Sequence, residues 1–458
     1  MRERVLAEVP KPTTIAMKSL HREGRVLAMQ CGRPDIMSYQ AFVDSYVGKK
    51  KQRYQSALNT LRERPLQLPY EASVKAFVKP EKWSPVDKVN PAPRMVQARS
   101  PRFNVEIGVF LKPIEHELYK LTDRFGLPLV GKGLSPTERG MYLRHKWECF
   151  RNPVCVSIDA SRWDMHVSRE MLEVEHAFYL RIINNPWFAR LLKCQLDNTV
   201  VTMCGLKYKT HGRRMSGDMN TALGNCCLMI MCVRYAMRVI GIRKYTIFDD
   251  GDDCLLLFER DHLELLTKSI GGCFNDLGHV VKIENIATQF EKIVWCQTQP
   301  VCVGGVWMMI REWKRALSNA VCGIEHFQDR RALCCLAFAI GQCFLALSPG
   351  VPIHQKMGEV LCRFTNVLDV NMLSGDWLYK VEPVLRAAKK KLGSFKPVEV
   401  QGSTRDSFAL AFDCDHLQQM HIESVLDAMV FSDIVDVGVE MLPNWRQTLD
   451  LRCDPALL

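Results

Sequence analysis

An α/β core followed by a largely helical end is the fold class the chain predicts, and three stretches carry that reading. Pro153 to Ile158 is an apolar run that finishes on Asp159, as a buried strand does when it delivers a carboxylate to a sheet edge. Tyr245 to Phe258 reads as two short apolar strands joined by the acidic turn Asp249-Asp250-Gly251-Asp252-Asp253. Residues 320 to 348 are apolar at helical spacing.

Composition bounds the rest. With 458 residues the chain exceeds the usual single-domain size, and 47% apolar residues are enough for a substantial core. Sixty-one Lys and Arg against 50 Asp and Glu leave a formal charge of +11, a bias toward an anionic partner. The 19 cysteines are scattered, with adjacent pairs at Cys226-Cys227 and Cys334-Cys335 and no CxxC spacing. They are expected to be small buried hydrophobes of a reducing compartment rather than disulfides or a zinc site. The charged, proline-containing first residues carry no apolar signal core. Cys334 to Leu347 is taken as the longest apolar stretch and is too short to span a bilayer, so no transmembrane segment is expected.

Residues 1 to 70 are mixed, with helical periodicity from Ile36 to Leu61. From 75 to 102 seven Lys or Arg stand against two acids, interrupted by prolines that prevent a long helix. Phe77, Val78, Met95 and Val96 would anchor such an arm and aim its cations inward, where phosphates bind; a solvated, turn-rich surface is the other reading. An amphipathic helix is expected over Phe103 to Leu121, and a loop leading into a helix at Lys132-Gly133-Leu134-Ser135.

Asp159 and Asp164 bracket a short loop after the first acidic strand. Asp159 suits a metal ligand; the alternatives are a helix cap or an ion pair with Arg162. A helix follows over Glu170 to Ile183. Ser216-Gly217 then forms a loop that a nucleotide or a backbone could approach closely, leading into a helix on which Thr221 and Asn225 share one face. These two either point at one ligand or hydrogen-bond internally. In the hairpin, Gly251 permits the turn while Asp252 and Asp253 place carboxylates at its tip. A helix follows from Asp261 to Leu277, and Lys282 is either a surface lysine or a cation able to neutralise a departing pyrophosphate. Phe290 to Gln297 alternates partly and is expected to be a hairpin strand continued by Val301 to Ile310.

In this order the motifs resemble the palm of a viral RNA-directed RNA polymerase, specifically the replicase of tombusvirus-like positive-strand RNA plant viruses. The resemblance runs from about Lys75 to Ser318 and includes the neighbourhoods of Ile114-Glu115-His116, Lys132-Gly133-Leu134 and Trp295-Cys296-Gln297. It implies a right-hand polymerase with a palm built on an antiparallel sheet: an N-terminal extension and fingers over 1–150, palm over 151–310, helical thumb and tail over 311–458. It implies catalytic and metal-binding roles for Asp159, Asp252 and Asp253; Lys282, read as a cation near the reaction centre, is a further catalytic candidate. Asp164, Ser216, Gly217, Thr221 and Asn225 would bind the nucleotide ribose; Lys79, Lys82, Arg94, Arg99 and Arg102 would meet triphosphate or RNA. Mg²⁺ would be the cofactor, with Mn²⁺ able to substitute.

The partners implied are template and product RNA, ribonucleoside triphosphates and a membrane-anchored viral auxiliary replication protein. The location implied is the host cytoplasm, in a membrane-associated replication complex reached through partners or a missing N-terminal region. Asp249-Asp250 departs from the family, where an Asn or another less acidic pair is common. A reverse transcriptase would carry an aromatic side chain at the place of Asp164, and none stands there. A noncatalytic RNA-binding scaffold would leave Asp159, Asp252 and Asp253 without a task.

Overall fold

In a computed structural model describing residues 2–79, 91–321, 330–364 and 394–430, the β-branched and aromatic runs become ten strands. They are β1 (Val74–Val78), β2 (Met95–Ala98), β3 (Pro153–Ala160), β4 (Asp197–Thr202), β5 (Lys207–His211), β6 (Tyr245–Asp249), β7 (Asp253–Glu259), β8 (Val281–Ala287), β9 (Thr298–Val303) and β10 (Val306–Arg311). The chain divides into two units. One comprises Met1–Lys79, Ala92–Gly133 and His145–Thr288; the other comprises Pro80–Pro91, Leu134–Arg144 and Gln289–Leu458.

The first unit holds two four-stranded sheets. The central one has the order β6-β7-β3-β8 and is antiparallel throughout. Its strands β3 and β7 are apolar on both faces and buried through their middles, because helices cover them. The second sheet has the order β2-β1-β4-β5, with β1 and β4 parallel. Three expected helices form within two residues of their predicted bounds, at Pro101–Tyr119, Arg169–Ile182 and Leu263–Asp276. Ser100 caps the first of these, its hydroxyl accepting from the Phe103 amide ahead of a proline at the first helical position.

Two expectations need correction in this unit. The periodicity of Ile36 to Leu61 is not one helix but two, Tyr39–Asp44 and Gly48–Glu63, because the chain reverses at Gly48 with φ +55°. The longest apolar helix is Thr221–Ile240 rather than Cys334 to Leu347; by length and composition it could cross a membrane, but 78% of its apolar window is buried inside the fold. Wrapping by protein on every side explains its all-round hydrophobicity. The described cysteines are all free, and most are buried.

The second unit is largely helical, as predicted. Helices Trp313–Val321, Arg330–Leu347, His354–Arg363, Gly402–Phe412 and His416–Asp427 accompany the β9–β10 hairpin. Leu317, Ile353, Met357, Leu361, Phe408 and Leu426 belong to one apolar core with Val301 and Ile310 of the hairpin. The expected strand over Phe290 to Gln297 is not formed. Phe290–Lys292 is a 3₁₀ turn, and Cys296 and Gln297 take left-handed φ of 50° and 61°. The hairpin lies wholly in 298–311, turning on Gly304 and Gly305, both at positive φ as a two-residue hairpin turn demands. Leu385 to Leu392, whose Arg386, Lys389, Lys390 and Lys391 make a basic cluster in the sequence, lies outside the described residues.

Candidate active site

The register of the central sheet assembles the site. Asp159, near the C-terminal end of β3, stands opposite Asp253 of β7 on one side and Lys282 of β8 on the other. Residues directly opposite in an antiparallel pair project to the same face with Cβ atoms about 5 Å apart. Asp253, Asp159 and Lys282 therefore form one row across three strands. One position back, Ile158 faces Cys254 and Ile283, and all but the last are buried. The alternation drives the apolar set into the core and presents the charged row on the opposite face.

Asp252 is exposed at the hairpin tip, between Gly251, whose φ is +98°, and Asp253. The Asp250 amide donates to the Asp253 carbonyl at 2.9 Å, closing the turn. The helix after the Asp159 loop has Arg162 as its cap residue and no side-chain cap, and Arg162 turns to the Glu3 carbonyl at 2.6 Å. The capping alternative for Asp159 is thereby removed.

The two extra acids of the hairpin have separate fates. Lys132 ion-pairs with the Asp250 carboxylate and also donates to its carbonyl at 2.8 Å. Asp249 is fully buried; its Oδ1 accepts from the Gly251 amide at 3.2 Å, while its Oδ2 has no hydrogen-bond partner. Burial pushes its carboxyl well above the ordinary carboxylate range, against the opposing influence of the Cys226 thiol and Lys132. Its backbone is held too, accepting from Gly131 at 2.8 Å and donating to Leu129 at 2.9 Å.

Of the five residues expected around a ribose, two meet directly: Asn225 Nδ2 donates to Asp164 Oδ1 at 3.2 Å. Burial raises the Asp164 carboxyl to about 6, opposed by Arg214 and Asn225. Ser216 and Gly217 instead dock the loop on β2. The Ser216 hydroxyl donates to the Met95 carbonyl at 2.8 Å, and the Gly217 amide donates to Gln97 at 2.9 Å. A Cβ on Gly217 would lie 2.8 Å from the Gln97 carbonyl oxygen, so the close approach requires glycine. Thr221 realises the internal alternative, its hydroxyl directed at the Met215 and Asp218 carbonyls at 3.0 and 2.9 Å.

The basic segment divides. Lys79 and Arg94 are exposed, and the charge of Arg94 acts on Asp164. Arg99, expected at phosphate, is corrected: it is 3% exposed and ion-paired to Asp218 at 2.7 Å, with the Ala72 carbonyl and Asn198 as further acceptors. Arg102 is likewise spent on Glu71 at 2.6 Å, Thr60 and the Arg64 carbonyl. Both are structural cations, since moving either to a phosphate would strand a carboxylate. Lys82 lies outside the described residues. Sequence reasoning gave no role to Lys132 beyond a loop, and none to Arg214 or Glu175. Arg214 lies two residues before Ser216, and that proximity was the available signal.

Asp159, Asp252 and Asp253 offer only hard oxygen donors, which suit Mg²⁺ or Mn²⁺. Among the described residues no three side chains converge into a closed metal cage.

A family model described as viral RNA-dependent RNA polymerase matches residues 1–432. The chain is 37% identical over 361 residues to the RNA-directed RNA polymerase of tobacco necrosis virus (strain A), covering 78% of this chain and 50% of that one. It is 36% identical over 440 residues to that of tomato bushy stunt virus (strain Cherry), covering 95% and 52%. To that of turnip crinkle virus it is 33% identical over 456 residues, covering 97% and 56%. The chain thus spans about half the length of the curated relatives it matches. With the whole motif order inside the matched region, the chain belongs to the viral RNA-dependent RNA polymerase family, in its tombusvirus-like branch.

Proposed function

We propose that the chain carries the catalytic centre of an RNA-directed RNA polymerase that replicates a positive-strand viral genome. The observation that carries this reading is the row Asp253–Asp159–Lys282, adjoined by Asp252 at the hairpin tip. In the proposed reaction the 3′-hydroxyl oxygen of the growing RNA bonds to the α-phosphorus of a ribonucleoside triphosphate. The bond from that phosphorus to the α–β bridging oxygen breaks, pyrophosphate leaves with the electron pair, and the hydroxyl proton is released. Asp159, Asp252 and Asp253 would hold Mg²⁺, which supplies charge stabilisation to the attacking and leaving oxygens. Lys282, on the strand beside Asp159, would offset charge developing on pyrophosphate. Asp164 and Asn225 would meet the ribose, and Lys79 and Arg94 the triphosphate or RNA.

Fingers, palm and thumb belong to this proposal, with the central sheet as palm and the helical unit as thumb. So do a cytoplasmic, membrane-associated replication complex and a membrane-anchored auxiliary protein, both of which rest on the family resemblance. The scaffold reading is weakened because Arg99 and Arg102 of the basic segment are consumed within the fold. Purified chain with RNA template, Mg²⁺ and labelled ribonucleoside triphosphates is expected to make complementary RNA. Asp252→Ala is expected to abolish synthesis and leave template binding intact, since Asp252 is exposed and supports no core contact. Equal synthesis by the variant would overturn the mechanism, and template binding without synthesis by the intact chain would favour the scaffold.

A further inference from the structure

Behind Asp164 and Asn225 lies a buried ion pair to which the reaction gives no task. Arg214 and Glu175 are 2% and 0% exposed. The Arg214 Nη1 donates to Glu175 Oε1 at 3.0 Å, and Nη2 completes the fork on Oε2. Asn220 Nδ2 and the Tyr179 hydroxyl also donate to Oε1, each at 2.7 Å. The carboxylate thus accepts four hydrogen bonds and is fixed in the helix Arg169–Ile182. A Cβ on Gly224 would fall 2.4 Å from Glu175 Oε1 and 2.5 Å from Arg214 Nη2, so the pair is also packed against the helix carrying Asn225.

The third guanidinium nitrogen of Arg214, Nε, donates to Asn225 Oδ1 at 3.0 Å. The backbone amide of Arg214 also donates to the Asp164 carbonyl at 2.9 Å. A guanidinium has donors only, so the Asn225 atom facing it must be the oxygen. That choice sends Nδ2 to Asp164 Oδ1. With the amide turned over, its oxygen would face a carboxylate oxygen and neither could donate.

We propose that Glu175 and Arg214 are positioning residues for sugar selection: the fork on Glu175 aims Arg214 Nε, which fixes the Asn225 amide and, through it, the Asp164 carboxylate. The inference rests on the reading of Asp164 and Asn225 as the ribose-recognising pair and extends it to two residues that do not touch the nucleotide. Burial of a paired Arg and Glu is an expensive way to fill a core, and the orientation of an active-site amide is the property that an apolar pair of equal volume would not supply.

The test is the ratio of kcat/KM for ATP to that for 2′-deoxy-ATP, measured on the full chain, on Glu175→Gln and on Arg214→Lys. Tyr179→Phe serves as control, because it removes one bond to Glu175 and leaves both bonds of the Arg214 fork in place. The ratio is expected to fall by about tenfold in both test variants, the equivalent of one hydrogen bond, and to hold in the control. A purely structural pair would lower both substrates alike and leave the ratio unchanged, and that result overturns the proposal. If the intact chain synthesises no RNA, the polymerase reading fails by itself. The relay is then decided by equilibrium titration with ATP and 2′-deoxy-ATP, where equal affinity ratios in the intact chain and both variants refute it. Arg214→Lys keeps the cation and Glu175→Gln the shape, so failure of one to fold leaves the other to decide.

Discussion

Asp249→Asn should make the protein more stable, and by an amount that grows with pH. The Asp249 carboxyl is 0% exposed, and burial holds it well above the ordinary range. In the unfolded chain the same group titrates near its usual value of about 4. Above that pH the unfolded state releases a proton that the native state retains, so the native state binds more protons and stability falls as pH rises. The slope is about 1.4 kcal/mol per pH unit until the native carboxyl itself ionises. Asparagine does not titrate and carries none of it. Its Oδ1 can still accept from the Gly251 amide, bonded at 3.2 Å in the parent. Its Nδ2 would take the place of Oδ2, which has no partner already, so the substitution strands no group that is now satisfied. Denaturant unfolding of both chains at pH 5, 6 and 7 isolates this term, because every other titrating group is common to both. A difference that stays flat across that interval, or a variant less stable throughout, would refute the reasoning.

Lys132→Met should destabilise the hairpin by about 2 kcal/mol, the scale of a charge-assisted bond lost from a partly buried pair, and slow RNA synthesis. Adding Asp250→Asn should restore part of both by removing the stranded carboxylate, and strictly additive losses in a double-mutant cycle would contradict the pairing. Lys146 is fully buried and donates to Asp123 at 2.6 Å and Thr246 at 2.8 Å. Lys146→Met should therefore cost about 3–5 kcal/mol in chemical unfolding, and Lys146→Met with Asp123→Asn distinctly less; a single-variant loss under about 1 kcal/mol would show that the charge is compensated elsewhere.

Local pattern made the hairpin, the helices and the apolar end of β3 legible, because each is a periodicity completed within some 15 residues. The row of Asp253, Asp159 and Lys282 is not legible in the sequence, since register between distant strands leaves no local trace. The basic segment shows the limit most directly. Seven cations among prolines look alike in sequence, yet Arg99 is neutralised by Asp218, 119 residues away. Lys79 and Arg94 remain on the surface. Thr221 and Asn225 were correctly placed one turn apart, but which of them meets a distant partner depends on where the preceding loop docks. Here it docks on β2 through Ser216 and Gly217, turning the Thr221 hydroxyl inward to its own backbone. At 290–297 partial alternation misled, because Cys296 and Gln297 adopt left-handed backbone that ends any strand.

The surplus of acid in the hairpin is resolved by two different devices. Four carboxylates in five residues, Asp249 to Asp253, would repel one another and any phosphate brought near. Asp249 is withdrawn from the field by burial, which favours its protonated form, and it serves as a neutral acceptor for the Gly251 amide. Asp250 is matched by Lys132, which also grips the backbone of the turn. What is left facing outward is the pair Asp252 and Asp253 beside Asp159. An asparagine at position 249 would fill the first role without titrating, so the aspartate is a substitute that works through a retained proton. The site should then tolerate Asp249→Asn and resist Asp249→Leu, which offers no oxygen to the turn amide.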